Sequence, residues 1–172
     1  MAKDMNYDRD LADLFQQSYG EAVRAARNLS VSVKRTTSLF PLSAAAMAQL
    51  DDEALERLDA FRVRYAQLQD VLTGKVFRAL LHLEEESADS MLDTLNAMEK
   101  RGIIDSFDGW KALRDLRNTF MHDYPEQAEL RAEALTRAHA RAAELGSVLL
   151  RVRERAIGRI GLPAGDLPEV PQ

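Results

Sequence analysis

Apolar residues recur every three or four positions along most of the chain, the period that places them on one face of a helix. A first helix is predicted from Asp8 to Ser38. Phe40 and Pro41 follow it, and proline ends helices because it lacks an amide donor and disfavours helix in the preceding residue. An Ala-rich connection comes next. The predicted inward residues of this helix are Leu11, Leu14, Phe15, Ala22, Ala26, Leu29 and Val33.

A second helix is predicted from Asp51 or Asp52 to Glu86, since aspartates suit the free amides at a helix start. At 1.5 Å per residue it would span roughly 50 Å, and Gly74 is where we expect any bend. Its apolar stripe is Leu55, Leu58, Phe61, Tyr65, Leu68, Leu72, Val76, Leu80 and Leu83.

Two shorter helices follow. The first runs from Ser90 to Arg101, after which Gly102 can adopt the left-handed conformation while Ile103 packs back. The next starts after Asp105 or Ser106 and is expected to stop at Pro125. Its core side is formed by Trp110, Leu113, Leu116 and Phe120.

A fifth helix is predicted from Glu126 to Ile160, and residues 161–172, with three prolines and two glycines, are predicted to form an extended tail. The chain is therefore predicted to be all-α: an antiparallel five-helix bundle over residues 8–160, with two long helices and a short helix that bears a motif. The stripe of the fifth helix is Leu130, Ala134, Ala138, Leu145, Leu149, Val152, Ala156 and Ile160.

The composition excludes several classes of chemistry and of cellular location. The 172 residues include no cysteine, which excludes disulfides, thiolate zinc sites and cysteine nucleophiles. Three scattered histidines form no metal-ligand pattern, and no glycine-rich phosphate loop is present, so we expect neither a metal nor a cofactor. No apolar run is long enough to cross a bilayer, and the start lacks the apolar segment of a signal peptide. A cytoplasmic protein without membrane contact is expected.

The net charge limits how nucleic acid could be bound. Lys and Arg total 23 and Asp and Glu total 28, giving a charge of -5. Proteins that wrap nucleic acid are usually basic. Any contact with nucleic acid must therefore be local or transient, as it is for a substrate.

The chemistry is concentrated in the stretch Arg-Asn-Thr-Phe-Met-His-Asp-Tyr, from Arg117 to Tyr124. In a helix, Asn118 and His122 are neighbours, and Arg117 and Tyr124 share a face if the helix persists. Arginine is always charged and matches phosphate oxygens in bidentate fashion, whereas histidine can move protons near neutral pH. We expect His122 to act as general base or acid on RNA and Arg117 to stabilise charge on phosphorus. Asn118 is expected to orient the histidine or the phosphate.

This Arg-x4-His-x-Tyr stretch, near the end of the penultimate predicted helix, resembles the signature of HepT-like toxins of the HEPN family. With the five-helix order, the resemblance covers roughly Leu11 to Ile160, although only the motif is specific. It implies a homodimer in which two motifs face one cleft and cut cellular RNA without metal. It also implies a minimal nucleotidyltransferase antitoxin of the MNT type, which adds AMP to Tyr124, and it allows larger hetero-oligomers with that partner. The adduct would place negative charge beside the arginine and block RNA.

Two other functions remain open. The same cluster could hold a nucleotide without cutting it, in a substrate-binding partner subunit of a nucleotidyltransferase, and the negative net charge favours this function. The intact motif favours the toxin, because an adaptor needs neither a proton carrier nor a modifiable phenol. A third interpretation is a structural bundle that dimerises through its long helices.

The remaining charged groups are interpreted as solvated surface. They include His82, His139 and the run Glu84–Glu86. Two basic runs could follow RNA phosphates, but exposure to solvent or the helix dipole explains them equally well. The first run is Arg24, Arg27, Lys34 and Arg35, and the second is Arg151, Arg153, Arg155 and Arg159.

Overall fold

The computed structural model describes residues 7–122 and 125–171, and within these ranges the chain is helical with no strand. The all-α prediction is confirmed. Within these ranges seven helices replace the five predicted, because the Ala-rich connection forms the short helix α2 and a turn divides the second predicted helix into α3 and α4. The Ser43 hydroxyl caps α2 by accepting from the Ala46 amide. The helices are α1 (Arg9–Thr36), α2 (Ala44–Ala48), α3 (Asp52–Val71), α4 (Phe77–Leu83), α5 (Met91–Lys100), α6 (Phe107–Met121) and α7 (Ala128–Arg155).

The second long helix is interrupted at the expected glycine. A π turn, Leu72–Val76, joins α3 to α4, and the Phe77 amide donates to the Leu72 carbonyl five residues back. Leu72, Val76 and Phe77 are all fully buried, so the buried face continues through the turn into α4. Gly74, in the middle of the turn, faces solvent. The π turn thus adds one residue and keeps both halves of the helix facing the core.

The core fixes α6 against α3. Tyr65 of α3 and Phe120 of α6 are fully buried and meet edge to face, with 5.5 Å between the ring centroids. The Tyr65 hydroxyl also donates to the Leu113 carbonyl at 3.4 Å, and burial raises its pKa well above the usual value. This contact places the outer face of α6 beside the outer face of α3.

The turn after α5 has the predicted form. Gly102 has a φ of +66°, and the buried Ile103 donates its amide to the Met98 carbonyl at 3.0 Å. Ser106 then caps α6 by accepting from the Gly109 amide at 2.9 Å. Local sequence signals therefore set where α5 ends and where the motif-bearing helix begins.

Three predictions about burial are wrong. Leu14, Leu55 and Leu130, placed in apolar stripes, are exposed, because spacing alone also selects positions at the edge of a stripe that no neighbouring helix covers. His139, interpreted as surface, stacks on Phe40 with 4.2 Å between the ring centroids, and its Nε2 lies 3.1 Å from the Val33 carbonyl. Glu84, interpreted as solvated, is only 11% exposed and contacts two arginines.

Residues beyond α7 return to the bundle. After a π turn, Ala156–Ile160, Gly161 adopts φ +91°, and the chain lies back with Leu162 and Leu167 buried. The Tyr19 hydroxyl donates to the Pro168 carbonyl at 2.8 Å, and burial raises the pKa of Tyr19 to about 12. The predicted tail is non-helical apart from the 3-10 turn Ala164–Asp166, and it packs against the helices.

Candidate functional site

Helix α6 presents the motif on its outer face. Its inward residues Trp110, Leu113 and Phe120 are buried, so Arg117 and Asn118 emerge on the side next to α3. The helix ends at Met121 rather than at Pro125, because His122 leaves helical geometry with φ -91° and ψ 129°. Arg117 and Tyr124 were expected to share a face only if the helix persisted, and α6 ends at Met121. Tyr124 itself lies outside the described residues.

Arg117 is held by two oxygen acceptors. Its Nη2 donates to Asp70 Oδ2 at 2.8 Å, and its Nη1 donates to Asn118 Oδ1 at 3.2 Å. The side chain is 26% exposed, and its buried Nε has no hydrogen-bond partner among the described residues. The guanidinium therefore sits against α3 with one face turned to the solvent-filled space between the two helices.

Asp70 is a site residue that the sequence analysis did not identify. It lies on the exposed face of α3, 47 positions before its partner, and its carboxylate is 60% exposed. An aspartate on the polar face of a long helix is ordinary, so no local pattern singles it out. Exposed pairs of this kind contribute about 0–1 kcal/mol. An incoming phosphate can consequently replace Asp70 as the acceptor for Arg117.

His122 lies at the exposed end of α6, four residues after Asn118. The structure brings Arg117 and Asn118 together through a hydrogen bond, and it places the imidazole on the first residue beyond the same helix. Arg117 and Met121 line the adjoining groove, whereas Asn118 and His122 stand outside its wall. The three predicted catalytic residues thus occupy one helix end.

An open groove of about 770 Å³, hereafter the Arg117 groove, lies on the surface between α6 and α3. Two cations and two carboxylates line it, and they pair as Arg117 with Asp70 and Lys75 with Glu21, the latter at 2.8 Å. Apolar side chains form much of the remaining wall. The lining is Glu21, Val63, Ala66, Gln67, Asp70, Val71, Gly74, Lys75, Arg117 and Met121.

Acidic and histidine side chains of the described residues do not converge in a way that would hold a metal. Within residues 7–122 and 125–171, no group of three or more His, Cys, Asp or Glu side chains has suitable geometry. In the same ranges, no helix is long and apolar enough to traverse a lipid bilayer.

Comparisons with known proteins give no match. No protein-family model matches the chain, and neither a curated protein nor a solved structure is similar to it.

Proposed function

We propose that this chain is a HEPN-type ribonuclease of the HepT-like class, with Arg117, Asn118 and His122 as its catalytic residues. The observation that best supports this function is the Arg117–Asn118 pair beside an open groove, on the helix end that also carries an exposed histidine. A fixed cation, an amide and a proton carrier at one accessible place match what phosphodiester cleavage needs.

The reaction would proceed without metal. One His122 imidazole takes the proton of a ribose 2′-hydroxyl, and the 2′-oxygen attacks the adjacent phosphorus. The 5′-oxygen leaves and takes a proton from a second imidazolium, giving a 2′,3′-cyclic phosphate and a free 5′-hydroxyl. Arg117 exchanges Asp70 for a phosphate oxygen and stabilises the charge that builds on phosphorus.

A homodimer would supply the second proton carrier, since each chain offers one histidine in this motif. The two-fold axis would bring the ends of both α6 helices to one cleft. The substrate is then a single RNA strand held between two copies of the Arg117 groove. Larger hetero-oligomers with a nucleotidyltransferase antitoxin are compatible with this arrangement.

An RNA-cleavage assay in EDTA tests the nuclease. Arg117→Ala and His122→Ala should each lose cleavage while keeping the helical circular dichroism and the unfolding midpoint of the unmodified chain. Arg137→Ala is the matched control, because Arg137 is an exposed arginine on α7 that does not line the Arg117 groove and has only a loose 3.7 Å pair to Glu133. Full cleavage by either motif variant would exclude this mechanism.

The proposed antitoxin is a nucleotidyltransferase that modifies Tyr124. The phenol oxygen would attack the α-phosphorus of ATP, and pyrophosphate would leave. Mass spectrometry after incubation with ATP and a minimal nucleotidyltransferase of the MNT type should find one AMP on Tyr124, and none on Tyr124→Phe. An unmodified Tyr124 would refute the transfer and leave the nuclease to be judged by the cleavage assay.

Two observations favour the alternative of a nucleotide-binding partner subunit. The Arg117 guanidinium already has a carboxylate acceptor, and the chain is negative overall. In that case the chain would bind a nucleotide or phosphate and leave RNA intact. Growth arrest on expressing the chain alone, relieved by co-expressing an MNT-type nucleotidyltransferase, separates the toxin from the adaptor.

A further inference from the structure

A second groove, hereafter the Arg24 groove, runs between α1 and the helix formed by α3, the π turn and α4. It encloses about 480 Å³. Glu21, Gly74 and Lys75 line both this groove and the Arg117 groove, so the two are continuous around the π turn. The lining is Leu14, Gln17, Ser18, Glu21, Arg24, Gly74, Lys75, Arg78, Ala79 and His82.

Basic groups predominate in the Arg24 groove. Arg24, Lys75 and Arg78 face a single carboxylate, Glu21, which is occupied by Lys75 at 2.8 and 2.9 Å. Arg24 and Arg78 are exposed, and within the described part of the chain neither forms an ion pair or a hydrogen bond. The Arg24 guanidinium lies over Gly20, since Nη1 is 3.7 Å from where a Cβ would stand. A chain of charge -5 thus concentrates uncompensated positive charge beside its candidate site.

The π turn opens the passage between the two grooves. Gly74 has no side chain, and no atom lies within 4 Å of the position that a Cβ would take. The turn also brings Lys75 to the rim, where it faces both grooves. Single π turns inside helices frequently mark functional sites.

We propose that the Arg24 groove binds the sugar–phosphate backbone of the RNA strand on one side of the bond to be cut, with Arg24 and Arg78 contacting phosphates. This inference rests on the proposed function and adds a location for the substrate. Apart from His82, the groove has no ring on which a base could stack. It therefore binds the backbone with little sequence preference, because phosphate contacts position a strand and base contacts specify it.

The local positive charge of the Arg24 groove accounts for RNA binding by a chain whose net charge is negative. Neutralising a phosphate releases counterions, and each such contact steepens the fall of affinity with salt by about 0.7 in a log–log plot for single strands. Two arginines and one lysine along one continuous groove are enough for a transient substrate contact. No basic surface over the rest of the molecule is required.

Charge-reversal variants test the location. Arg24→Glu and Arg78→Glu are compared with Arg27→Glu, because Arg27 is an exposed arginine on the same helix that lines neither groove. All three change the net charge equally. We expect the groove variants to raise the KM for a short unstructured RNA roughly fivefold or more, with kcat unchanged. Arg27→Glu should behave like the unmodified chain.

Direct binding gives a second readout. In the His122→Ala background, fluorescence anisotropy with the same labelled RNA is measured over a series of salt concentrations. Arg24→Ala and Arg78→Ala should each reduce the salt slope by about 0.7. Equal effects of the Arg24, Arg78 and Arg27 variants would overturn the location, and so would a fall in kcat at constant KM.

The outcomes also separate the groove from the nuclease. If the chain binds RNA through Arg24 and Arg78 but never cuts it, the groove stands and the ribonuclease proposal fails. If RNA is cut but the groove variants match Arg27→Glu, the groove fails alone. Absence of RNA binding, or equally tight binding of a polyglutamate peptide of the same length, would overturn the RNA assignment.

Discussion

Two arginine–carboxylate contacts in this molecule have similar distances and different surroundings. At the junction of α4, α5 and α7, Glu84 lies 2.6 Å from Arg101 Nε and 2.5 Å from Arg155 Nε, and the Glu84 and Arg101 side chains are 11% and 9% exposed. Beside α6, Asp70 lies 2.8 Å from Arg117, and its side chain is 60% exposed. Burial, and not distance, distinguishes the two.

The difference assigns them different roles. Removing one partner from a buried pair leaves an uncompensated charge and costs about 3–5 kcal/mol, whereas an exposed pair contributes about 0–1 kcal/mol. The Glu84 contact therefore holds helices together, and the Asp70 contact can be exchanged for a ligand. Glu84 joins residues far apart in the chain, and Asp70 keeps the Arg117 guanidinium extended toward a groove.

The largest expected effect comes from breaking the buried contact. Glu84→Gln should lower the free energy of unfolding by about 3 kcal/mol, because Arg101 and Arg155 lose their shared counter-charge. Urea unfolding followed by circular dichroism measures it. Glu86→Gln is the control, since Glu86 also contacts Arg101, at 2.7 Å, but is exposed. A similar loss in both variants would show that burial does not decide the contribution.

The next effect concerns activity. Arg117→Ala should reduce RNA cleavage about 100- to 1000-fold, equivalent to about 2.7–4 kcal/mol of transition-state stabilisation. The free energy of unfolding should change by less than about 1 kcal/mol, because the pair to Asp70 is exposed. Initial rates and urea unfolding are measured on the same preparation. Loss of stability as large as in Glu84→Gln would make Arg117 a structural residue.

Acid provides a second test of the buried contact. Burial alone would raise the pKa of the Glu84 carboxyl, but hydrogen bonds and charges from Arg155 and Arg101 outweigh it and hold that pKa below 4.5. A folded-state pKa below the unfolded value stabilises the fold above the unfolded pKa, and this contribution disappears as pH falls through the folded value. The stability gap between the unmodified chain and Glu84→Gln should stay constant near neutral pH and narrow below about pH 4.5. A gap that widens in acid would contradict the assigned role.

The smallest expected effect comes from the exposed contact. Asp70→Asn removes the carboxylate that competes with phosphate for Arg117, so KM for RNA should fall, by no more than about fivefold for a pair worth up to about 1 kcal/mol. Stability should change by less than about 1 kcal/mol. Steady-state kinetics measures the first quantity and urea unfolding the second. If Asp70→Asn abolishes cleavage, the carboxylate has a part in the chemistry beyond competing with substrate.

Periodicity and local signals predict the helices well where a residue's surroundings follow from its sequence neighbours. The start at Ser106 and the turn at Gly102 and Ile103 are of this kind. Contacts between residues far apart in the sequence cannot be predicted in this way. Neither the Asp70–Arg117 pair nor the stacking of His139 on Phe40 leaves a local sequence pattern, because each depends on how separate elements pack.

The candidate site shows the same division. Sequence spacing placed Arg117, Asn118 and His122 together at one helix end, and the structure keeps them on that end. The sequence spacing did not predict that α6 would stop at Met121, four residues before Pro125. The only sequence signal for the Arg24 groove is the basic run on α1. Arg78 of α4 lines the same groove because α1 and α4 lie side by side.

The π turn also limits which length changes the gene can tolerate. Deleting one residue between Leu72 and Val76 would remove the π turn and leave uninterrupted α-helix, in which Phe77 follows Leu72 by four positions and still faces the core. Inserting a further residue there would instead rotate α4 by about 100° relative to α3, so Phe77 and Leu80 would leave the interior and Glu84 would lose its register with both arginines. Homologues that lack the extra residue should therefore keep the fold and lose the opening at Gly74, whereas homologues with one residue more should be absent.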